Sequence, residues 1–192
     1  MKTPLDALPH PAVLVIDMQR DFVDPGAPIE CAGARDIVPA VQDLLATARG
    51  ARVPVIYTRE VHRADGVDLE MSNDEPAHCL EGTGGDEIIP ALAPLSGDYV
   101  VVKRRYSGFF ATDLDLLLRS LGARTLVLTG AATDVCVRAT AQDAHQLDYR
   151  VVVPRECVAG TTEARHEAAL QNIDYVFGYV APVSFVSKLL GG

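Results

Sequence analysis

The sequence predicts an α/β fold, a three-layer α/β/α sandwich around a mostly parallel sheet of about six strands. Short β-branched runs alternate with helix-period segments along the chain, and those runs are apolar almost throughout instead of at every second residue. Strands of that kind need cover on both faces, and crossover helices supply it. The length agrees: 192 residues are enough for one well-packed domain and too few for two ordinary ones. Residues 1–192 are therefore expected to form a single domain.

Each element follows in order. AVLVID (12–17) reads as a buried strand, and RDIVPAVQDLLATARG (35–50) as a helix despite a proline near its start. VPVIYT (53–58) and DYVVVK (98–103) are the second and third strands. TDLDLLLRSLG (112–122) is a helix with Thr112 as N-cap, an apolar stripe and a terminal glycine. TLVLTG (125–130) is the fourth strand, TDVCVRATAQDAHQLD (133–148) a helix, and RVVVP (150–154) the fifth strand. TTEARHEAALQNI (161–173) is another helix and DYVFGYV (174–180) the last strand. Residues 60–97 break this rhythm: they are rich in Gly, Pro, Asp and Glu and have no clear apolar period. A loop too long for a βα connection, lying beside a parallel sheet, is expected to be a pocket wall or lid.

Composition excludes several function classes. The chain has no tryptophan and a formal charge of −9, so it offers neither a stacking platform for single strands nor an attraction for phosphate backbones. Lys103-Arg104-Arg105 is the one tight basic cluster and is too small for a nucleic-acid surface. The opening MKTPLDALPHP lacks the apolar core of a signal peptide, and AVLVI is far too short to span a bilayer. Cys31, Cys79, Cys136 and Cys157 show no CxxC pair and no zinc-like spacing. Reduced thiols and a cytoplasmic location are expected, with no nucleic-acid or membrane partner.

Ligands in open α/β sheets bind beyond the carboxyl ends of the strands. There the first strand ends in Asp17, the third in Lys103, and the fourth runs into TGAATDVC with Cys136. Taken singly, a strand-end Asp is more often a turn former, a Lys a solvated charge, and a Cys a small buried hydrophobe. Together they make a nucleophile with its activators. Cysteine attacks as thiolate, so its free pKa of about 8.5 must fall. A place in the first turn of the predicted helix, with an ammonium beside it, favours the anion. Asp17 can take the thiol proton and return it to a leaving amine. The small residues Gly130, Ala131 and Ala132 let backbone N–H groups approach a substrate oxygen.

VIDMQRDF with Asp17, KRRYSGFFATDLDLLLRSLGARTLVLTG with Lys103, and GAATDVCVRATAQDA with Cys136 resemble, in that order, the isochorismatase-like cysteine hydrolases. That family includes nicotinamidases, N-carbamoylsarcosine amidohydrolase, and biuret and ureidoacrylate amidohydrolases. The resemblance implies a catalytic triad of Asp17, Lys103 and Cys136. It also implies a cis peptide between Ala131 and Ala132, with the N–H groups of Ala132 and Cys136 as oxyanion hole. Members that hydrolyse the vinyl ether of isochorismate lack the nucleophile, so Cys136 implies C–N cleavage of a small amide or ureide through a thioester. Phe22 stands where relatives place an aromatic against substrate. Tyr106 and Phe109 are expected to form a second wall, and Phe110 to be core. Relatives are commonly dimers or tetramers, which implies a homodimer or homotetramer.

Nicotinamidases bind a divalent metal through an Asp-x-His pair and further histidines. The corresponding stretch here is Glu60-Val61-His62, with Asp68 where that group has a histidine, and then His78. The ureide-cleaving branch, which needs no metal, is closer in YTREVHRADGVD and KRRYSGFFATDLD, so neither metal nor cofactor is expected. Arg104 and Arg105 are read as solvated, Thr133 as ordering its turn, and Asp134 as a helix cap or subunit bridge. The other three cysteines are read as structural. The rival readings are a metal-dependent nicotinamidase and a non-catalytic small-molecule binding protein on the same fold.

Overall fold

The computed structural model describes residues 4–70 and 75–191. In chain order the elements are β1 (Pro11–Ile16), α1 (Arg20–Val23), α2 (Val38–Gly50), β2 (Val55–Glu60), β3 (Tyr99–Lys103), α3 (Leu114–Ser120) and β4 (Thr125–Ala131). There follow α4 (Arg138–Gln146), β5 (Arg150–Pro154), β6 (Val158–Ala159), α5 (Glu163–Asn172), β7 (Gly178–Ala181) and α6 (Val183–Gly191). The sheet runs β3-β2-β1-β4-β5-β7, with the short β6 paired to β4, so it has seven strands. Every one of these pairings is parallel.

The period of two along β1 explains the three layers. Val13 and Val15 pack with Val41, Leu44 and Leu45 of α2 and with Val186 and Leu190 of α6. Ala12, Leu14 and Ile16 point the other way, onto Leu114 and Leu118 of α3, Ala141 and Ala144 of α4, and Leu170 of α5. Both faces of the central strand are therefore dry, as an apolar run without alternation requires. No described helix is long and apolar enough to cross a membrane.

Two boundaries differ from expectation for reasons the packing makes plain. Residues 174–177 do not join the last strand: the chain continues from α5 as a wide turn over Ile173–Phe177, and β7 begins only at Gly178. A Cβ at Gly178 would lie 2.4 Å from the Val151 carbonyl oxygen, so pairing with β5 at this point requires glycine. Thr112 is not the N-cap of α3, which starts at Leu114. Its hydroxyl donates to the Gly108 carbonyl at 2.5 Å and accepts the Leu114 N–H at 3.2 Å, bracing the turn ahead of the helix. Three elements were not expected at all. The four-residue α1 and two-residue β6 are too short to show a period. Helix α6 buries Val186 and Leu190 against α2, a stripe of two residues that is weak by itself.

Candidate active site

β1 and β4 lie side by side, with Ile16 opposite Gly130, and their ends bring Asp17 and the turn after Ala131 together. Gly130 makes that approach possible. Its φ is +108°, and a Cβ there would sit 2.1 Å from the Ile16 carbonyl oxygen. Beyond it the Ala131–Ala132 peptide is cis, as the resemblance implied, and residues Thr133–Val137 form a wide turn that carries Cys136. Asp17 itself has a φ of +49°, in the left-handed region that few non-glycine residues occupy.

The three strand-end residues meet. Lys103 Nζ lies 2.8 Å from Asp17 Oδ2 and 3.8 Å from Cys136 Sγ. All three are buried; Lys103 is 1 % exposed and Cys136 3 %. Thr58 on β2 donates its hydroxyl to Asp17 Oδ1 at 2.7 Å and accepts the Asp17 N–H at 3.2 Å. The ammonium also donates to the Arg105 carbonyl at 2.9 Å.

A fourth member joins them. Glu60, the last residue of β2, places Oε2 2.5 Å from Lys103 Nζ. In the sequence it stands out only as a candidate metal donor, so its contact with the lysine was missed. The parallel pairing of Glu60 with Lys103 across β2 and β3 sets it there. Gln19 was missed too, although it lies inside VIDMQRDF. Fully buried, it donates through Nε2 to the carbonyls of Glu60 at 2.7 Å and Asp86 at 2.9 Å, and accepts the Glu60 N–H at 2.7 Å. A buried amide with its partners satisfied clamps the strand end that carries Glu60.

One ammonium among two carboxylates and a thiol makes a coupled set. Burial raises Asp17, Lys103 pulls it back, and Glu60 adds to the rise; the outcome is a carboxyl above its ordinary range. Burial would also raise Glu60, but Lys103, then His62 and His78, hold it well below the usual range. Lys103 stays firmly charged: burial would lower it, and Asp17, Cys136 and Glu60 more than offset that. Cys136 departs from the sequence expectation. Burial drives its pKa well up, and Lys103 reverses only part of the rise. The carboxylates of Asp17 and Glu60 add to the rise, so burial and these two neighbours together outweigh the ammonium.

A cavity of about 80 Å³ opens on Cys136, and its wall includes Phe22, Tyr106, Ala132, Glu75 and His78. Phe22 and Tyr106 are where the sequence places them. Phe109 is not: its ring stacks on Tyr149 with centroids 5.9 Å apart. The Gly108 N–H donates to Thr140 on α4 at 3.0 Å, which draws this segment away from the cavity. Phe110 is not core but 60 % exposed. Thr133 pairs its hydroxyl with His166 Nδ1 at 2.9 Å. The Asp134 carboxylate accepts the N–H and hydroxyl of Thr161 at 2.8 and 2.6 Å, ahead of α5, instead of capping its own helix. Arg104 and Arg105 turn toward the 61–70 segment, where Arg104 meets Asp68 at 3.2 Å and Arg105 donates to the Asp68 carbonyl at 2.8 Å.

The four metal donors considered in the sequence do not converge on one point. Glu60 Oε1 faces His62 Nε2 at 3.4 Å, whereas Asp68 faces the opposite ring nitrogen, Nδ1, at 3.5 Å. Three of them do converge. Glu60, His62 and His78, all buried, bring one ligand atom each within 4.8 Å of one another. Both ring nitrogens of His62 lack a hydrogen-bond partner among the described residues. Three such donors fit a divalent cation of the zinc or manganese kind.

Known proteins share this sequence pattern and this fold. The family model described as "Isochorismatase domain" matches residues 11–184. Maleamate amidohydrolase of Pseudomonas putida is 37 % identical over 174 residues, covering 88 % of this chain and 82 % of that protein. Ureidoacrylate amidohydrolase RutB of Methylobacterium radiotolerans is 32 % identical over 204 residues, covering 93 % and 79 %. Among solved structures, an isochorismatase family protein from Desulfovibrio vulgaris superposes with a TM-score of 0.89 at 38 % identity, covering 95 % of this chain and 99 % of that one.

Proposed function

The chain belongs to the isochorismatase family, and we propose that it is a cysteine-dependent amidohydrolase cleaving the C–N bond of a small linear amide or of a ureido or carbamoyl compound. Relatives named for maleamate and ureidoacrylate are amidohydrolases, which supports the reaction class. The observation that carries the cysteine route is the meeting of Asp17, Lys103 and Cys136 within 2.8 and 3.8 Å of one ammonium, at the floor of a cavity.

In this reading the Cys136 thiol gives its proton to Asp17, whose raised pKa suits a base that must later act as an acid. The thiolate, beside Lys103, attacks the carbonyl carbon. The tetrahedral oxyanion is held by the N–H groups of Ala132 and Cys136. Asp17 returns the proton to the departing nitrogen, and ammonia or an amine leaves a thioester on Cys136. Water, deprotonated by Asp17, then hydrolyses the thioester, and the sulfur regains its proton. Burial keeps competing water out and strengthens every charge interaction in the site.

A metal-dependent, nicotinamidase-type amidase is the second reading, favoured by the convergence of Glu60, His62 and His78. A cation held by these three would act as a Lewis acid on a substrate oxygen or bound water. None of the steps above uses it. An ammonia-release assay over linear amides, ureides and nicotinamide tests the proposal. Turnover that persists in Cys136→Ala would overturn the cysteine route.

A further inference from the structure

The charges around the cavity restrict what the substrate can carry. Recognition of a carboxylate in a water-poor site calls for an arginine fork or an ammonium with charge to spare. Among the described residues, no arginine or lysine lines this cavity. Its charged wall consists of Glu30, Glu60, Glu75 and His78. His78 Nε2 is directed at Glu60 Oε1, 3.1 Å away. Arg35, the cation beside Glu30, is held on that carboxylate at 2.5 Å.

Lys103 lies behind the wall and has nothing left to offer. Its single positive charge is already shared between Asp17 at 2.8 Å and Glu60 at 2.5 Å. The thiolate formed during reaction would claim it as well, from 3.8 Å. A substrate carboxylate would thus find no free cation in this wall, and Glu75 would add a like charge. Most of the remaining surface is apolar, from Phe22, Ile29, Ala132 and Val135, with Thr161 and the Tyr106 ring beside them.

We infer that this pocket takes small amides whose far end is neutral or cationic and rejects those ending in a carboxylate. The bond to be cleaved rests on the amidohydrolase reading; the charge preference does not. Glu75, exposed at the cavity wall, is the side chain that sets this preference most directly.

Alkylation of Cys136 tests the inference without turnover. Iodoacetamide and iodoacetate differ in little besides an amide against a carboxylate, and mass analysis of the Cys136 peptide separates its labelling from that of Cys31. The rate ratio in the folded protein, divided by the same ratio for free cysteine, should favour iodoacetamide by about five- to tenfold, the scale of one like-charge contact near a protein surface. Glu75→Gln should bring the ratio toward one, and Glu75→Lys should reverse it. An unchanged ratio, faster reaction with iodoacetate, or no alkylation by either reagent overturns the inference. In turnover, succindiamide should be hydrolysed with a higher kcat/KM than succinamate, and the opposite order also overturns it. Ammonia from no amide at all would remove the amidohydrolase reading, while the alkylation ratio would still decide the charge preference.

Discussion

Asp17 at the end of β1 and Glu60 at the end of β2 hold the same ammonium, 2.8 and 2.5 Å away, and yet they are driven in opposite directions. Glu60 is pulled well below the usual carboxylate range, because two imidazoles join Lys103 in stabilising its charge. Asp17 has only the lysine and the Thr58 hydroxyl to set against complete burial and the nearby negative charge of Glu60, and it is raised. Two like groups on one cation are thereby pushed apart in their hold on a proton. Environments that push paired carboxyls apart are what acid–base chemistry at neutral pH requires.

The widest break in this comparison comes from removing the proposed proton carrier or its thiol. Asp17→Asn should lower ammonia release by roughly a hundred- to ten-thousandfold, the range of a lost general base, with a native circular dichroism spectrum. Cys136→Ala should lose at least as much. Near-wild-type turnover in either variant would remove that residue from the mechanism.

Gly130→Ala attacks the spacing that brings Asp17 to Cys136. A methyl 2.1 Å from the Ile16 carbonyl, on a backbone at positive φ, should cost about 3 kcal/mol or more in denaturant unfolding. An unchanged midpoint would show that the two strand ends can part without penalty.

Glu60→Gln sharpens the comparison by neutralising the counter-ion alone. Lys103 would then serve Asp17 without competition and the raising influence of Glu60 would vanish, so the Asp17 pKa falls. Activity that needs ionised Asp17 rises as pH climbs through that pKa. The acid limb of the kcat/KM profile should therefore move to lower pH in the variant. The maximal rate should fall by about ten- to a hundredfold, less than for Asp17→Asn, since no reacting atom is removed. An acid limb that stays in place would mean Glu60 does not tune its neighbour.

The smallest effect is expected from chelation. If Glu60 serves as counter-ion to Lys103, dialysis against a strong chelator should leave turnover unchanged. A loss restored by zinc or manganese would assign Glu60, His62 and His78 to a metal instead.

Much of this arrangement is legible in one dimension. Apolar runs without alternation at 12–17, 53–58, 125–130 and 150–154 mark buried parallel strands because nothing else fits such runs into a chain of this size. Asp17 at the end of the first of these runs, Lys103 at the end of 98–103, and the cysteine in the turn after Ala131 stand out against that background. What went unread is mostly a matter of contact across strands. Phe109 and Phe110 follow Lys103 just as Tyr106 does, and no periodicity says which ring turns to the cavity; a hydrogen bond from Gly108 to α4 decides it. Gln19 and Glu60 are polar residues whose role exists only once β1, β2 and β3 are aligned.

By itself, then, the sequence determined the layers and the strand-end trio, because hydrophobic period and residue type are local properties; the reaction class rests on resemblance to a family instead. Only the tertiary structure decided that burial pushes the Cys136 thiol upward, that Glu60 competes with Asp17 for one ammonium, and that the cavity wall carries several carboxylates. Each of those depends on burial and on distances between residues more than thirty positions apart, and both are set when the sheet closes its register.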